Sequence, residues 1–442
     1  MSSNTNPILK LMGTSLIIEQ ISKNRIFSLR KKIIMGCRCR NWRTLFGGAM
    51  TNLLLAVIYL AFISLGLPDG LLGSAWPTMS GDLHAPLSRA GGISMTISAG
   101  TIISALLSDR LTLRFGAGRV TAFSVALTAA ALMGFSFAPN YWVLIVCAIP
   151  YGLGAGGVDA ALNNYVAIHY TSRHMSWLHC MWGLGALIGP YMMSYAMASR
   201  HGWQWGYRSV GVIQLVLTAV LIFSLPLWKR RPAAADAGTQ ATDRKPIGLL
   251  GVLRISGATQ ILIMFFCYCA IEQTAMLWAS SYMVGMDGMA EDVAATFTSI
   301  FLIGITVGRF ANGFLTMRFS DPAMIRIGTM TIGLGALLLL VPVHNPALSA
   351  VAFILVGLGC APVYPCIIHS TPTYFGADKS QAIVGVQMAF AYVGTMLMPP
   401  LFGVIAQATT IAVLPWCLLV FVAFMAAMHE WLRALRRDDM AV

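Results

Sequence analysis

Hydrophobic residues in this 442-residue chain fall into long runs that are separated by short polar connections. A helix needs about 20 mostly apolar residues to cross the hydrocarbon of a bilayer. Several runs end near Trp or Tyr, as is typical of membrane–water interfaces. The pattern predicts an all-α membrane protein with twelve transmembrane helices at 51–76, 90–108, 118–138, 141–168, 176–199, 208–228, 255–284, 293–316, 324–343, 347–374, 382–406 and 410–432.

Composition and charge placement support this class and exclude others. The chain is 57% hydrophobic and 10% charged, whereas a soluble domain has about 25% charged residues. Of its 29 Lys and Arg residues, 25 fall on the side of the predicted bundle that holds both termini. Because basic residues accumulate in cytoplasmic loops, both termini are expected in the cytoplasm. The net charge of +13 therefore indicates membrane orientation rather than nucleic-acid binding. We expect a monomer in the lipid bilayer of the cell membrane, which is the inner membrane if the source is bacterial.

The second half of the chain repeats features of the first. Gly-Leu-Gly at 152–154 returns at 357–359, an offset of 205 residues that also sets Tyr364 opposite Asp159. Such a parallel repeat is typical of transporters whose binding site lies near the membrane midplane. We therefore predict two pseudo-symmetric six-helix bundles, with boundaries at 1–49 (a basic cytoplasmic extension), 50–228 (the first bundle), 229–249 (a cytoplasmic linker), 250–434 (the second bundle) and 435–442 (a cytoplasmic tail).

Several segments resemble the major facilitator superfamily, and within it the fucose–proton symporters. The segments are Leu-Pro-Asp at 67–69, Asp-Ala-Ala-Leu-Asn at 159–163, Phe-Cys-Tyr at 266–268, Gly-Arg-Phe-x-x-Gly at 308–313 and Tyr-Pro at 364–365. The resemblance implies a cavity acid at Asp69, a proton-carrying acid at Asp159 and a cavity tyrosine at Tyr364. It also implies a gating or structural loop containing Asp109 and Arg110. The chain departs from the pattern at Gly66, His179 and Trp182, and these departures make L-fucose itself a doubtful substrate.

Three acids lie within the apolar runs, where an ionised side chain costs about 2.5–3.5 kcal/mol even on lenient insertion scales. Glycines surround Asp159, and shelter from water favours its neutral form, so it is the first candidate for a proton carrier. Asp69 lies among Gly66, Pro68 and Gly70, where a broken helix would line a cavity. Each acid has a structural alternative: Asp159 could cap a contact between helices, and Asp69 could lie at the outer mouth.

The third acid, Glu272, is followed by Gln273 and could bind solute from the second half or form an ion pair with Arg309. We expect Arg309 to have a structural role. The other candidates for solute binding are polar or aromatic residues within spans, each with packing as the alternative: His179, Trp182, Asn163, Trp278 and Tyr364. His169 and His369 are expected to be satisfied near the inner interface.

No enzyme signature is found: the chain has no Walker loop, zinc-protease motif, nucleophile elbow or dinucleotide fingerprint. We therefore expect a secondary transporter for a small polar solute, in particular a sugar, that works by proton-coupled symport with alternating access. Apart from the coupling proton no cofactor is expected, and sodium coupling stays open. The alternative is a proton-driven exporter of drugs or amphipathic metabolites.

Overall fold

The computed structural model describes residues 52–86, 89–228, 245–343 and 345–437. The predicted N-terminal extension, linker residues 229–244 and tail residues 438–442 lie outside these ranges. The helices are α1 (52–66), α2 (Leu71–Asp82), α3 (Ala90–Phe115), α4 (Ala117–Ser136), α5 (Tyr141–His169), α6 (Ser172–Ala198), α7 (Gly202–Trp228), α8 (Leu249–Leu253), α9 (Ala258–Asp287), α10 (Glu291–Leu315), α11 (Asp321–Leu338), α12 (Pro346–Phe375), α13 (Ala377–Ala408) and α14 (Leu414–Arg437).

Each predicted span is mostly helical where the structure describes it, which confirms the all-α fold. Nine helical segments among the described residues are long and apolar enough to cross a bilayer. The helices extend past the predicted spans, as α3 does to Phe115 and α14 to Arg437. The hydropathy pattern ends where the hydrocarbon ends, but the backbone hydrogen bonds of a helix continue into the interface.

The first span is broken in the middle, as its glycines and proline predicted. Residues 67–70 form a turn between α1 and α2, and the N–H of Asp69 donates to the carbonyl of Gly66 at 3.1 Å. Pro68 lacks an N–H and disfavours helical geometry in the residue before it. The break places the Asp69 carboxylate at the junction of two helical segments.

The repeat seen in the sequence has the same packing role in both halves. A Cβ on Gly154 would lie 2.6 Å from the carbonyl oxygen of Ser124 in α4, and one on Gly359 would lie 2.6 Å from the backbone nitrogen of Ile332 in α11. The preceding pair is also equivalent, since Gly152 faces α3 and Gly357 faces α10. The glycines are therefore positions where neighbouring helices approach closely.

The helix neighbours repeat as well. In the first half α5 packs between α3 and α4, while α4 also packs on α7. In the second half α12 packs between α10 and α11, while α11 also packs on α14. The halves contact each other through α3 with α13, α6 with α10, and α5 with both α12 and α13. These contacts place the middle of α5 beside the second half.

Candidate functional site

Asp159 lies between the two halves of the bundle. Its side chain is buried, with 4% of the residue exposed. Oδ1 accepts a hydrogen bond from Asn163 Nδ2 at 2.7 Å, and Oδ2 accepts one from the Tyr392 hydroxyl of α13 at 2.9 Å. A phenol can donate to a carboxylate and can also accept from a carboxylic acid. Tyr392 can therefore stay bonded to Asp159 in both protonation states.

A polar chain continues from Asp159 into α6. The Oδ1 atom of Asn163 lies 3.0 Å from His179 Nε2. Because the amide nitrogen of Asn163 donates to Asp159, its oxygen accepts here, and Nε2 of His179 holds the hydrogen. The imidazole lies edge-on to Phe62 and to Tyr364, with ring centroids 5.4 and 4.5 Å away. His179 therefore connects the acid to an aromatic wall.

The second half contributes a buried ion pair to the same region. Arg309 Nη2 lies 3.2 Å from Glu272 Oε1 and 3.4 Å from the hydroxyl of Tyr268. The Arg309 guanidinium also lies over the rings of Trp182 and Tyr364, at 5.3 and 5.7 Å from their centroids. The sequence left two possibilities for Glu272, solute binding or an ion pair with Arg309, and the ion pair is present. We call Asp159, Asn163, His179, Glu272, Arg309, Tyr268, Tyr364 and Tyr392 the central polar cluster.

Asp69 faces this region from the break in the first span. It is exposed, and its Oδ2 accepts a hydrogen bond from Trp182 Nε1 at 2.8 Å. The indole therefore joins the two groups of residues, since its ring lies under Arg309 and its N–H binds Asp69. A carboxylate with one satisfied oxygen and free access to solvent can accept hydrogen bonds from hydroxyl groups.

Other predicted residues lie elsewhere. Trp278 packs within the second half, where its indole N–H donates to the carbonyl of Pro399 at 2.9 Å and its ring lies edge-on to Phe402. Gln273 is half-buried on α9. Asp109 is buried and accepts a hydrogen bond at 2.9 Å from the N–H of Ile247, near the end of the predicted linker. Its neighbour Arg110 is exposed.

The structure gives a steric reason for the glycine at position 66. A Cβ at Gly66 would collide with the carbonyl of Trp182 in α6. Gly185 and Gly189 of α6 fit in the same way against the backbone of Ile63 and Leu67. A polar side chain at position 66 is therefore excluded by the contact between α1 and α6.

Several hydrogen bonds between the halves lie on the side of the central polar cluster that faces the predicted cytoplasmic end. The amide of Asn164 donates to Gln381 at 2.8 Å and accepts from Ser380 at 2.6 Å. Asn312 of α10 donates to Ser176 of α6 at 2.7 Å. This end of the bundle is closed.

Sequence reasoning missed several of these residues. Tyr392 and Tyr268 belong to ordinary apolar runs, and nothing in their spacing marks them as partners of Asp159 or Arg309. Asn164 was not missed: with Asn163 it is a candidate for a polar contact or for a bond between helices, and the repeat offset of 205 residues aligns it with His369. Both residues are polar, and both lie near the inner ends of equivalent helices.

The comparisons with known proteins agree with this architecture. An uncharacterized transporter of Sinorhizobium fredii, y4wD, is 24% identical over 378 residues, covering 83% of this chain and 95% of that protein. The glucose/mannose transporter GlcP of Bacillus subtilis is 26% identical over 321 residues, covering 70% of this chain and 77% of its own. The solved structure of the transporter FucP in its outward conformation superposes with a TM-score of 0.68 at 17% identity, covering 85% of this chain and 98% of FucP. The profile of the Major Facilitator Superfamily matches residues 58–297 and 286–441, and the chain therefore belongs to this family of membrane transporters.

Proposed function

We propose that the protein is a proton-coupled symporter for a small polar solute, with a sugar as the favoured class. The observation that supports this most directly is the position of Asp159, which is buried between the halves and bonded to one residue from each. Loss or gain of its proton changes the charge at the junction on which alternating access depends. Asp69 is the second proton-accepting candidate and the solute-facing acid.

The charges of the central polar cluster favour a neutral solute. Within the cluster the positive charge of Arg309 is compensated by Glu272 at 3.2 Å. The exposed acid Asp69 would repel an anion and accept hydrogen bonds from hydroxyl groups. The rings of Trp182 and Tyr364 present flat apolar faces, which suit the C–H face of a sugar. The names of two similar proteins, GlcP as a glucose/mannose transporter and FucP as a fucose:proton symporter, point the same way.

The aromatic wall also favours a second candidate, a proton-driven exporter of amphipathic compounds. The rings of Phe265, Tyr268 and Tyr364 lie within 6.3 Å of one another. Phe265 and Tyr268 are fully buried behind Tyr364, which is half-buried and is the ring that an apolar or aromatic solute would contact. Flux of solute relative to the imposed proton gradient separates the two candidates: a symporter moves solute in the direction of the protons, and an exporter moves it against them.

The test of the proposal is Asp159→Asn in proteoliposomes with an inward proton gradient. An amide can still accept from Tyr392 but cannot release a proton, so uphill accumulation of sugar should stop while counterflow exchange continues. The matched control is Asp82→Asn, because Asp82 is also a hydrogen-bonded acid, bound to Trp203 Nε1 at 2.8 Å, but lies outside the cluster. Proton-driven accumulation that survives in Asp159→Asn would refute the assignment.

A further inference from the structure

His369 joins the two halves at the predicted cytoplasmic end. Its Nδ1 lies 2.5 Å from Asp321 Oδ2 at the start of α11, and its Nε2 lies 3.1 Å from the backbone carbonyl of Tyr170 between α5 and α6. The other carboxylate oxygen of Asp321 accepts from the hydroxyl of Ser172 in the first half. One histidine and one acid of the second half thus hold the turn that precedes α6.

Both ring nitrogens of His369 face groups that only accept hydrogen bonds when Asp321 is ionised. A carboxylate and a carbonyl have no hydrogen to give. The two bonds therefore need a hydrogen on Nε2 and one further proton between Nδ1 and Oδ2. If that proton leaves, the lone pair of Nδ1 faces a carboxylate at 2.5 Å, and the contact becomes repulsive.

The connection in the first half that is equivalent to that of His369 is made by Asn164, and it does not need an extra proton. Asn164 stands 205 residues before His369 and joins α5 to the start of α13 through Ser380 and Gln381. Its amide donates with one atom and accepts with the other, so its bonds do not depend on pH. The two inter-half connections are thus related by the repeat, and only that of His369 can titrate.

Protons can reach the pair. A cavity of about 460 Å³ is lined by both residues, together with Ser172, Tyr374 and Arg433. The side chains of His369 and Asp321 are 18% and 11% exposed. Arg433, which also lines this cavity, lies 3.5 Å from Glu430, and Glu430 lies 2.5 Å from Arg326 as well. Cys366 and Tyr374 on α12 also interact with Asp321, and Arg173 and His174 directly follow Ser172 in the chain.

We propose that the Asp321–His369 pair is a proton-sensitive latch on the cytoplasmic end of the transport path. With its proton the pair holds the end closed, and release of the proton into the cytoplasm loosens it. A histidine is the side chain suited to gain or lose a proton in the physiological pH range, so a change in cytoplasmic pH acts on the latch directly. The inference rests on alternating access in this family and not on the identity of the solute or of the coupling ion.

The test is a distance measurement without solute. Spin labels on cysteines at Arg114 and Arg318, which are both exposed at the predicted cytoplasmic end of different halves, would report its opening in a background without native cysteines. As pH rises through the histidine range, we expect the population with the longer distance to grow by up to about tenfold per pH unit, as release of one proton allows. A distance distribution that does not change with pH would overturn the proposal.

Two substitutions should remove the pH response in opposite ways. In Asp321→Asn the amide can donate to Nδ1 of a neutral His369 and still accept from Ser172, so the short distance should persist at high pH. In His369→Asn the shorter amide side chain cannot reach both Asp321 and the carbonyl of Tyr170. The longer distance between the two labels should therefore be present at every pH. The control His169→Asn should respond as the parent does, because Nδ1 of His169 bonds to the carbonyl of Tyr165 in its own helix.

A third measurement separates this latch from the proposed proton carrier. The pH response should persist when Asp159→Asn is introduced, even though that variant has lost coupled transport. A response that vanishes with Asp159→Asn, or that is unchanged in Asp321→Asn, would assign it to another group and refute the latch. If His369→Asn does not fold, Asp321→Asn alone still decides the question.

Discussion

At the scale of single residues, Glu272 forms the ion pair with Arg309 that was one of the two possibilities left open by the sequence. Both side chains are buried, with 8% and 3% exposed, and each is the main charge partner of the other. Breaking a buried pair by neutralising one member costs about 3–5 kcal/mol, because the remaining charge is left uncompensated. We therefore expect the pair to stabilise the second half, as well as to border the region proposed to bind solute.

This predicts a clear difference between two Glu→Gln variants. Glu272→Gln should lower the free energy of unfolding by about 3 kcal/mol, seen as a lower melting temperature of the purified protein in detergent. Glu430→Gln removes the partner of Arg326 in an exposed pair and should cost at most about 1 kcal/mol. Equal losses in the two variants would contradict the structural role of the buried pair.

The double variant Glu272→Leu/Arg309→Met tests the same pair without leaving a charge behind. Replacing a buried ion pair with apolar residues of similar volume is often neutral or stabilising. We therefore expect it to unfold at a higher temperature than Glu272→Gln. Solute uptake by the stable double variant would show that the pair is not needed for binding.

At the scale of helices, the repeated glycines define how closely α5 and α12 approach their neighbours. Gly154 and Gly359 each face backbone atoms of the adjacent helix, so the neighbour cannot yield by turning a side chain. The sequence predicted that a helix comes close to Asp159, and the structure shows that α3 and α4 do so, at Gly152 and Gly154. The central polar cluster is therefore held by contacts that tolerate no added atom.

Adding one methyl group at either glycine should be destabilising. Overpacking typically costs about 1–3 kcal/mol, and Gly154→Ala and Gly359→Ala should show similar losses in melting temperature because their surroundings are equivalent. Gly304 of α10 is the control, since a Cβ there meets nothing within 4 Å, and Gly304→Ala should be neutral or slightly stabilising. A stable Gly154→Ala variant would mean that α4 and α5 do not pack as closely as described.

At the scale of the whole molecule, the inter-half hydrogen bonds favour one arrangement of the two bundles. Each such bond contributes about 0.5–1.5 kcal/mol net, and several lie towards the predicted cytoplasmic end. Asp69, on the other side of the central polar cluster, is exposed. The two bundles are thus held together towards the predicted cytoplasm, and the proposed alternating access requires these bonds to break.

Removing Asn164 should therefore shift the balance of conformations. Asn164→Leu loses the bonds to Ser380 and Gln381, and a loss of about 1.4 kcal/mol would change the ratio of closed to open molecules about tenfold. The distance between labels at Arg114 and Arg318 measures this ratio. Asn140→Leu is the matched control, because Asn140 caps α5 at the opposite end and should leave the ratio unchanged.

The sequence alone determined the elements of this protein and their order. Apolar runs long enough to span a bilayer can satisfy their backbone only as helices, and the offset of 205 residues related the two halves before any contact was known. It also identified Asp69, Asp159 and Glu272 as candidates, since charges within apolar runs are costly and therefore informative.

Only the tertiary structure decided which side chains meet. Tyr392 reaches Asp159, and His369 reaches Tyr170, across the interface between the halves, and each pair of residues is more than 190 positions apart in the chain. Hydropathy records how far a segment prefers lipid to water, but it contains no information on the rotation of a helix about its axis. That rotation is fixed by close packing against neighbouring helices, and it separates Trp278, which packs within its own half, from Trp182, which binds Asp69.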